Sequence, residues 1–215
     1  MTSLLILPSP LLPAMAYEPL VASFRAAGHR AELAATAKLT TPGAVATAWR
    51  ERAAGAEVLV AHSNAGLLAP LVAGEGQRVV FVDAALPPAA GSFPLASGGH
   101  RTLLEGLADK RGLLPPWTRW WPRSAFDEIV PEKLYRKLDK ACPRLPLAYF
   151  EATLTVPEGW SARPNAYLAF GVAYTDEREQ AREWGWPWKA LQGAHLHLLV
   201  RPDEVTPAVV DLASR

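Results

Sequence analysis

Short, unbroken apolar runs alternating with helix-patterned segments constrain this chain more than any other feature. Val58-Leu59-Val60 and Val79-Val80-Phe81-Val82 carry no polar alternation. Both sides of each run must therefore be covered, as in a parallel sheet with helices on its two faces. Residues 4–7, 31–34, 57–61, 78–83, 166–170 and 188–191 read as six such strands. Helical patterns fall between and after them, at 17–27 (ended by Gly28), 43–54, 65–73, 176–184 and 202–213. Strand–helix alternation implies a mostly parallel α/β sheet with right-handed crossovers.

Residues 87–164 break this alternation. They hold Pro87, Pro88, Pro115, Pro116, Pro122, Pro131, Pro143, Pro146 and Pro157, and also Trp117, Trp120, Trp121 and Trp160. The stretch is too long and too aromatic for a plain loop. It reads as an insertion lying over one edge of the sheet, with a helix expected over 125–138. A chain of 215 residues is one domain on this reading, 1–215, with the insertion inside it.

Charge and cysteine content exclude several function classes. Twenty-two basic against 21 acidic residues give a net charge of +1, no electrostatic footprint for nucleic acid. A single cysteine, Cys142, excludes an internal disulfide and a cysteine-rich zinc site. No metal or cofactor is implied. No apolar run reaches the about 18 residues that a membrane-spanning helix needs. Leu4–Leu7 followed by Ala14-Met15-Ala16 imitates a secretion signal, but no positive charge precedes it. Pro8, Pro10 and Pro13 would also break its helix. A cytoplasmic location is the expectation.

The segment 58–66, Val-Leu-Val-Ala-His-Ser-Asn-Ala-Gly, is a buried strand, a tight turn and a helix start. Ala61 and Ala65 stand where a G-x-S-x-G nucleophile elbow has its glycines, and Gly66 adds room. Small neighbours are required because strand and helix otherwise collide at the strained turn. Such a turn lifts the Ser63 hydroxyl clear of the sheet. The helix start then offers backbone N–H groups to developing negative charge. The competing reading of Ser63 is an ordinary helix cap.

A serine hydroxyl needs a base. Of His29, His62, His100, His195 and His197, His195 lies in the loop after the last strand and before the final helix, where an elbow serine finds its histidine; His197 is the reserve. His62 is expected to point away into packing, and His29 and His100 to lie at the surface. Asp83 closes the strand after the elbow and is the candidate acid that would orient the imidazole. Asp176 and Glu177 are the rivals, although first-turn acids also stabilise a helix for dipole reasons alone. One oxyanion donor is the N–H after the nucleophile, Asn64. The second comes from the loop after the first strand, where Pro8, Pro10 and Pro13 have no N–H. Among Ser9, Leu11 and Leu12, Leu11 is the choice and Leu12 the reserve.

The stretches LILPSPLLPA, VLVAHSNAGLLAPLVA, VVFVDAALPPAAGSFP, LPPWTRWWP and WPWKALQGAHLHLLVRPDEV touch most of the chain. In them it resembles the α/β-hydrolase family, and within it small actinobacterial members distantly similar to plant methylesterases and hydroxynitrile lyases. The resemblance implies Ser63 as nucleophile, His195 as base, and the N–H groups of Asn64 and Leu11 as oxyanion donors. In the plant relatives the acid follows the strand matching 166–170, and this sequence has Gly171-Val172-Ala173-Tyr174 there. Polyketide thioesterases of the same family put it at the position of Asp83. The chain starts at the strand before the oxyanion loop, so the expectation is a trimmed α/β-hydrolase fold. It would have about six mostly parallel strands, helices on both faces and a short Pro/Trp-rich cap.

In that cap Trp117, Trp120 and Trp121 would wall a pocket for an apolar or aromatic group, with Arg119 pairing a carboxylate or stacking on a ring. Packing of the cap onto the body is the competing reading. Exposed tryptophans among Trp184, Trp186 and Trp188 also suit a homodimer surface. The function these features imply is a serine hydrolase acting through an acyl-enzyme on an ester or thioester of a small apolar or aromatic substrate. Its rivals are a cofactor-free lyase or a cyclase in natural-product metabolism, and a ligand-binding module that has lost turnover.

Overall fold

The computed structural model describes residues 1–36 and 38–215. In chain order its elements are β1 (Ser3–Leu7), α1 (Glu18–Ala26), β2 (Arg30–Leu33), α2 (Pro42–Ala53), β3 (Val58–His62), α3 (Ala69–Val72) and β4 (Arg78–Val82). There follow β5 (Ser92–Pro94), α4 (Gly98–Leu107), α5 (Glu132–Ala141), α6 (Ala148–Glu151) and β6 (Thr153–Thr155). The chain ends with β7 (Asn165–Phe170), α7 (Thr175–Glu183), β8 (Trp188–Leu191), α8 (His197–Val200) and α9 (Pro202–Ser214).

The main sheet runs β2-β1-β3-β4-β7-β8, every pair parallel. These are the six expected strands, each bound within one residue of its sequence reading. The inner strands β3 and β7 are buried along their whole length, whereas the edge strand β8 alternates. Unbroken apolar runs thus mark positions covered on both faces. From β1 the chain steps to one side to make β2, then back past β1 to make β3. With right-handed crossovers, those opposite steps put α1 and α2 on opposite faces. The topological switch point therefore lies between β1 and β3, and ligand crevices of such sheets open at the carboxyl ends of the strands there. The loop after β1 and the turn after β3 both leave the sheet at that point. Among the described residues no helix is long and apolar enough to cross a membrane.

Two helix expectations need correction, both because of proline. The helix expected over 65–73 is a 3₁₀ turn, Ser63–Leu67, followed by the single turn α3. A continuous helix would need an N–H from Pro70 to the Gly66 carbonyl, which proline lacks. The helix expected over 125–138 is likewise two pieces. A 3₁₀ turn at Arg123–Phe126 is separated from α5, which starts directly after Pro131. Between β4 and β7 the chain also forms the antiparallel pair β5–β6 and the helix α4, neither of which the sequence reading contained.

Candidate active site

Ser63 and Asp83 both hold left-handed backbone, φ 59° and 43°. Neither is glycine, and strain of this kind gathers at functional sites. The two turns are joined, since Ala85 N–H donates to the Ser63 carbonyl at 3.1 Å. Ala61 and Ala65 are fully buried beside the serine. The closest approach falls one residue later, at Gly66, where an added Cβ would lie 2.1 Å from the Ala85 carbonyl oxygen. The glycine that the turn cannot lose is thus the third residue after the serine.

Asp83 is fully buried, and both its carboxylate oxygens are used. Oδ1 accepts the Phe170 N–H at 2.9 Å, and Oδ2 meets His195 Nδ1 at 2.7 Å. The Tyr167 hydroxyl clamps the next residue, accepting from Ala84 N–H at 3.1 Å and donating to the Ala84 carbonyl at 2.8 Å. A carboxylate can only accept, so His195 carries a proton on Nδ1, and in the neutral imidazole Nε2 is then the lone pair. His197 is occupied elsewhere. Its Nε2 pairs with Glu204 at 2.9 Å and its ring lies against Phe170. Asp176 and Glu177 lie in the first turn of α7, and burial raises the Glu177 carboxyl above its ordinary range.

Three rings surround the His195 imidazole: His62 stacked at 4.6 Å, Tyr174 at 5.5 Å and Trp117 at 5.6 Å. The Tyr174 phenol is pushed up to about 12, mainly by burial, with the neighbouring Ser63 pulling the other way. Tyr174 is a near neighbour of Ser63, and among the described residues no hydrogen bond joins Ser63 to His195. Tyr174 was not singled out from the sequence, where it stood only as a non-acidic residue after a strand. His62 is buried as expected, but its ring faces His195 rather than packing away from it.

In the loop after β1, Leu12 N–H is committed to the Ser9 carbonyl at 3.0 Å and Ser9 N–H to the Tyr17 hydroxyl at 2.7 Å. Leu11 N–H has only a long contact to Ser9 Oγ, at 3.4 Å. Asn64 N–H belongs to the start of the 3₁₀ turn, where no partner is available within the turn.

A cavity of about 360 Å³ opens beside His195, walled by Trp117, Trp121, Phe126, Ile129 and Tyr174. A second, of about 400 Å³, lies on the other side of Tyr174 and is bounded by Asn64, Leu67, Phe93, His100 and Glu177. Trp120 and Arg119 line neither. The Trp120 indole donates to the Pro115 carbonyl, and the ring packs on Phe150. Arg119 forms a two-pronged pair with Asp139, at 3.0 and 2.8 Å, on the outer side of the cap. Trp184 and Trp186 pack around Trp160, and Trp188 is 41% exposed.

No protein-family model matches the sequence. No curated protein matches it either. Solved structures do match in fold. An extracellular alpha/beta-hydrolase from a Paenibacillus species, reported to share structural and functional homology with tobacco Salicylic Acid Binding Protein 2, superposes with a TM-score of 0.77 at 16% identity, over 99% of each chain. The pyrethroid hydrolase PytH matches with a TM-score of 0.69 at 16% identity, over 99% of this chain and 97% of that one. MenH from S. aureus matches with a TM-score of 0.61 at 12% identity, over 98% of this chain and 92% of that one.

Proposed function

We propose that this chain, which has the α/β-hydrolase fold, is a serine hydrolase that cleaves an ester or thioester through an acyl-enzyme. The observation that carries the reading is the 2.7 Å pair between a buried Asp83 and His195, beside a serine held on a left-handed turn. His195 Nε2 takes the Ser63 proton as Ser63 Oγ bonds to the substrate carbonyl carbon. The N–H groups of Asn64 and Leu11 receive the resulting oxyanion. The bond to the leaving alkoxide or thiolate then breaks, and His195 returns the proton to it. Water, deprotonated by the same imidazole, releases the acid. Catalytic hydrogen bonds in ligand-free sites are commonly loose and tighten when substrate binds, so the reading does not need a Ser63–His195 bond in the free chain.

The substrate reading is an apolar or aromatic group in the Trp117–Trp121 cavity, with the rest of the molecule reaching past Tyr174. The aromatic walls support it, and among the described residues no Lys, Arg, Asp or Glu lines that cavity.

A fluorophosphonate probe tests the nucleophile. The reading expects one adduct, on the Ser63 peptide, absent in Ser63→Ala, with that variant folded and inactive. Turnover retained by Ser63→Ala refutes it. Hydrolysis puts one solvent oxygen into the product acid, so product without solvent ¹⁸O would instead indicate lyase or cyclase chemistry.

A further inference from the structure

Behind the proposed catalytic pair runs a string of hydrogen bonds that the acyl-transfer scheme does not use. Ser9 N–H donates to the Tyr17 hydroxyl at 2.7 Å. That hydroxyl meets His62 Nδ1 at 2.9 Å, and His62 Nε2 meets the His195 carbonyl oxygen at 3.0 Å. The direction is forced. A carbonyl only accepts, so Nε2 carries the proton; the buried ring is neutral, so Nδ1 is a lone pair; Tyr17 therefore donates its O–H to it. Every polar atom of the string is satisfied, although Ser9, Tyr17 and His62 are at most 1% exposed.

From this geometry we infer that His62 and Tyr17 are positioning residues that set the base and the oxyanion loop relative to the nucleophile. The inference rests on the hydrolase reading and deepens it. His62 directly precedes Ser63, so one residue fixes three things. Its backbone leads into the strained turn, its ring stacks on the His195 imidazole at 4.6 Å and 25°, and its Nε2–H holds the His195 main chain. Through Tyr17 the same ring also spends the Ser9 N–H, which leaves Leu11 as the loop's open donor. Simple core packing would need none of these polar atoms. A leucine would fill the space, whereas the string needs an acceptor on one side of the ring and a donor on the other.

The test uses Tyr17→Phe, His62→Gln and His62→Leu in the full chain, with an aryl ester as substrate. Glutamine can accept from Tyr17 and donate to His195, so it conserves the pattern. Tyr17→Phe should lower kcat by about 10-fold, the scale of one lost buried hydrogen bond, with KM little changed. His62→Leu should lose more, and His62→Gln should recover part of the loss. A second readout needs no substrate. The proton between His195 Nδ1 and Asp83 gives a deshielded ¹H NMR signal that should shift or broaden in Tyr17→Phe and His62→Leu. If His62→Leu fails to fold, Tyr17→Phe, which removes a single oxygen atom, decides. A folded Tyr17→Phe with kcat within about twofold of wild type and an unmoved signal overturns the inference. Failure of wild-type Ser63 to react with a fluorophosphonate would sink the hydrolase reading instead, and the NMR signal would still judge the string.

Discussion

Replacing Asp83 by asparagine tests the acid with almost no change of shape. Asparagine tolerates left-handed backbone as aspartate does, so the turn at φ 43° survives. The wild-type carboxylate accepts from two donors, Phe170 N–H and His195 Nδ1–H. An amide has one oxygen. If it stays on Phe170, the NH₂ faces His195 and forces the imidazole proton onto Nε2, where it blocks uptake of the Ser63 proton. If the amide flips, Phe170 N–H faces the NH₂ and is left buried without an acceptor. The first outcome costs turnover by about 10⁴-fold, or ~5 kcal/mol of barrier. Either outcome costs about 2 kcal/mol of stability from a charge-assisted bond, which lowers Tm by roughly 4–8 °C. Initial rates on an aryl ester and a thermal melt measure both. A variant that keeps turnover within about 10-fold of wild type, while Asp176→Asn or Glu177→Gln collapses, would show that the acid lies elsewhere.

Gly66→Ala should destabilise the fold by about 3 kcal/mol, because the new Cβ meets backbone that cannot swing away; a denaturant midpoint equal to wild type refutes the close approach. Trp121→Ala should raise KM for aromatic esters several-fold with little change in Tm, since the ring walls the cavity and is 43% exposed. Arg119→Ala should leave kcat and KM unchanged, its guanidinium being spent on Asp139; a raised KM would return it to the substrate. Burial, aided by repulsion from His195, holds His62 well below its ordinary value of 6.5. The stability this neutral ring allows is therefore complete above about pH 6.5, where the unfolded chain is also unprotonated, and is lost as acid protonates the unfolded chain first. Tm should fall as pH drops below about 6.5, and less steeply in His62→Gln; identical slopes would contradict the burial argument.

The sheet was legible because burial on both faces leaves a run of apolar residues that nothing else produces, as at β3 and β4. Pro70 and Pro131 carry the signal that splits the two expected helices, since neither has an N–H with which to continue a helical turn. The elbow and the candidate acid could be named because each sits directly after a strand, and the histidine because it lies in the loop between the last strand and the final helix. What stayed hidden was contact between distant segments. Nothing near Tyr17 or Tyr174 in sequence says that the hydroxyl of one meets His62 and the ring of the other lies beside His195. Arg119 between tryptophans suggested a substrate carboxylate, because Asp139 becomes its partner only once α5 folds back against the 117–119 turn.

The end of β7 explains why the carboxylate beside His195 comes from β4. The residue after β7 is Gly171, which holds φ 60°, and a Cβ there would lie 2.6 Å from the Gly193 carbonyl oxygen. Gly193 is hemmed in turn, its own added Cβ falling 2.5 Å from His197 Nδ1. The loop that carries His195 thus packs its backbone onto the very position where a side chain would have to begin, and an aspartate at 171 could not enter without displacing it. The register Val82↔His62 sets the end of β4 level with the elbow, so Asp83 needs only its left-handed turn to reach His195. The end of β7 keeps a supporting part, since Phe170 N–H fixes the oxygen of Asp83 that His195 does not use. Gly171→Asp combined with Asp83→Asn should therefore fail to restore turnover and should melt below Asp83→Asn alone. Recovery of activity in that double variant would mean that the His195 loop yields more readily than its packing implies.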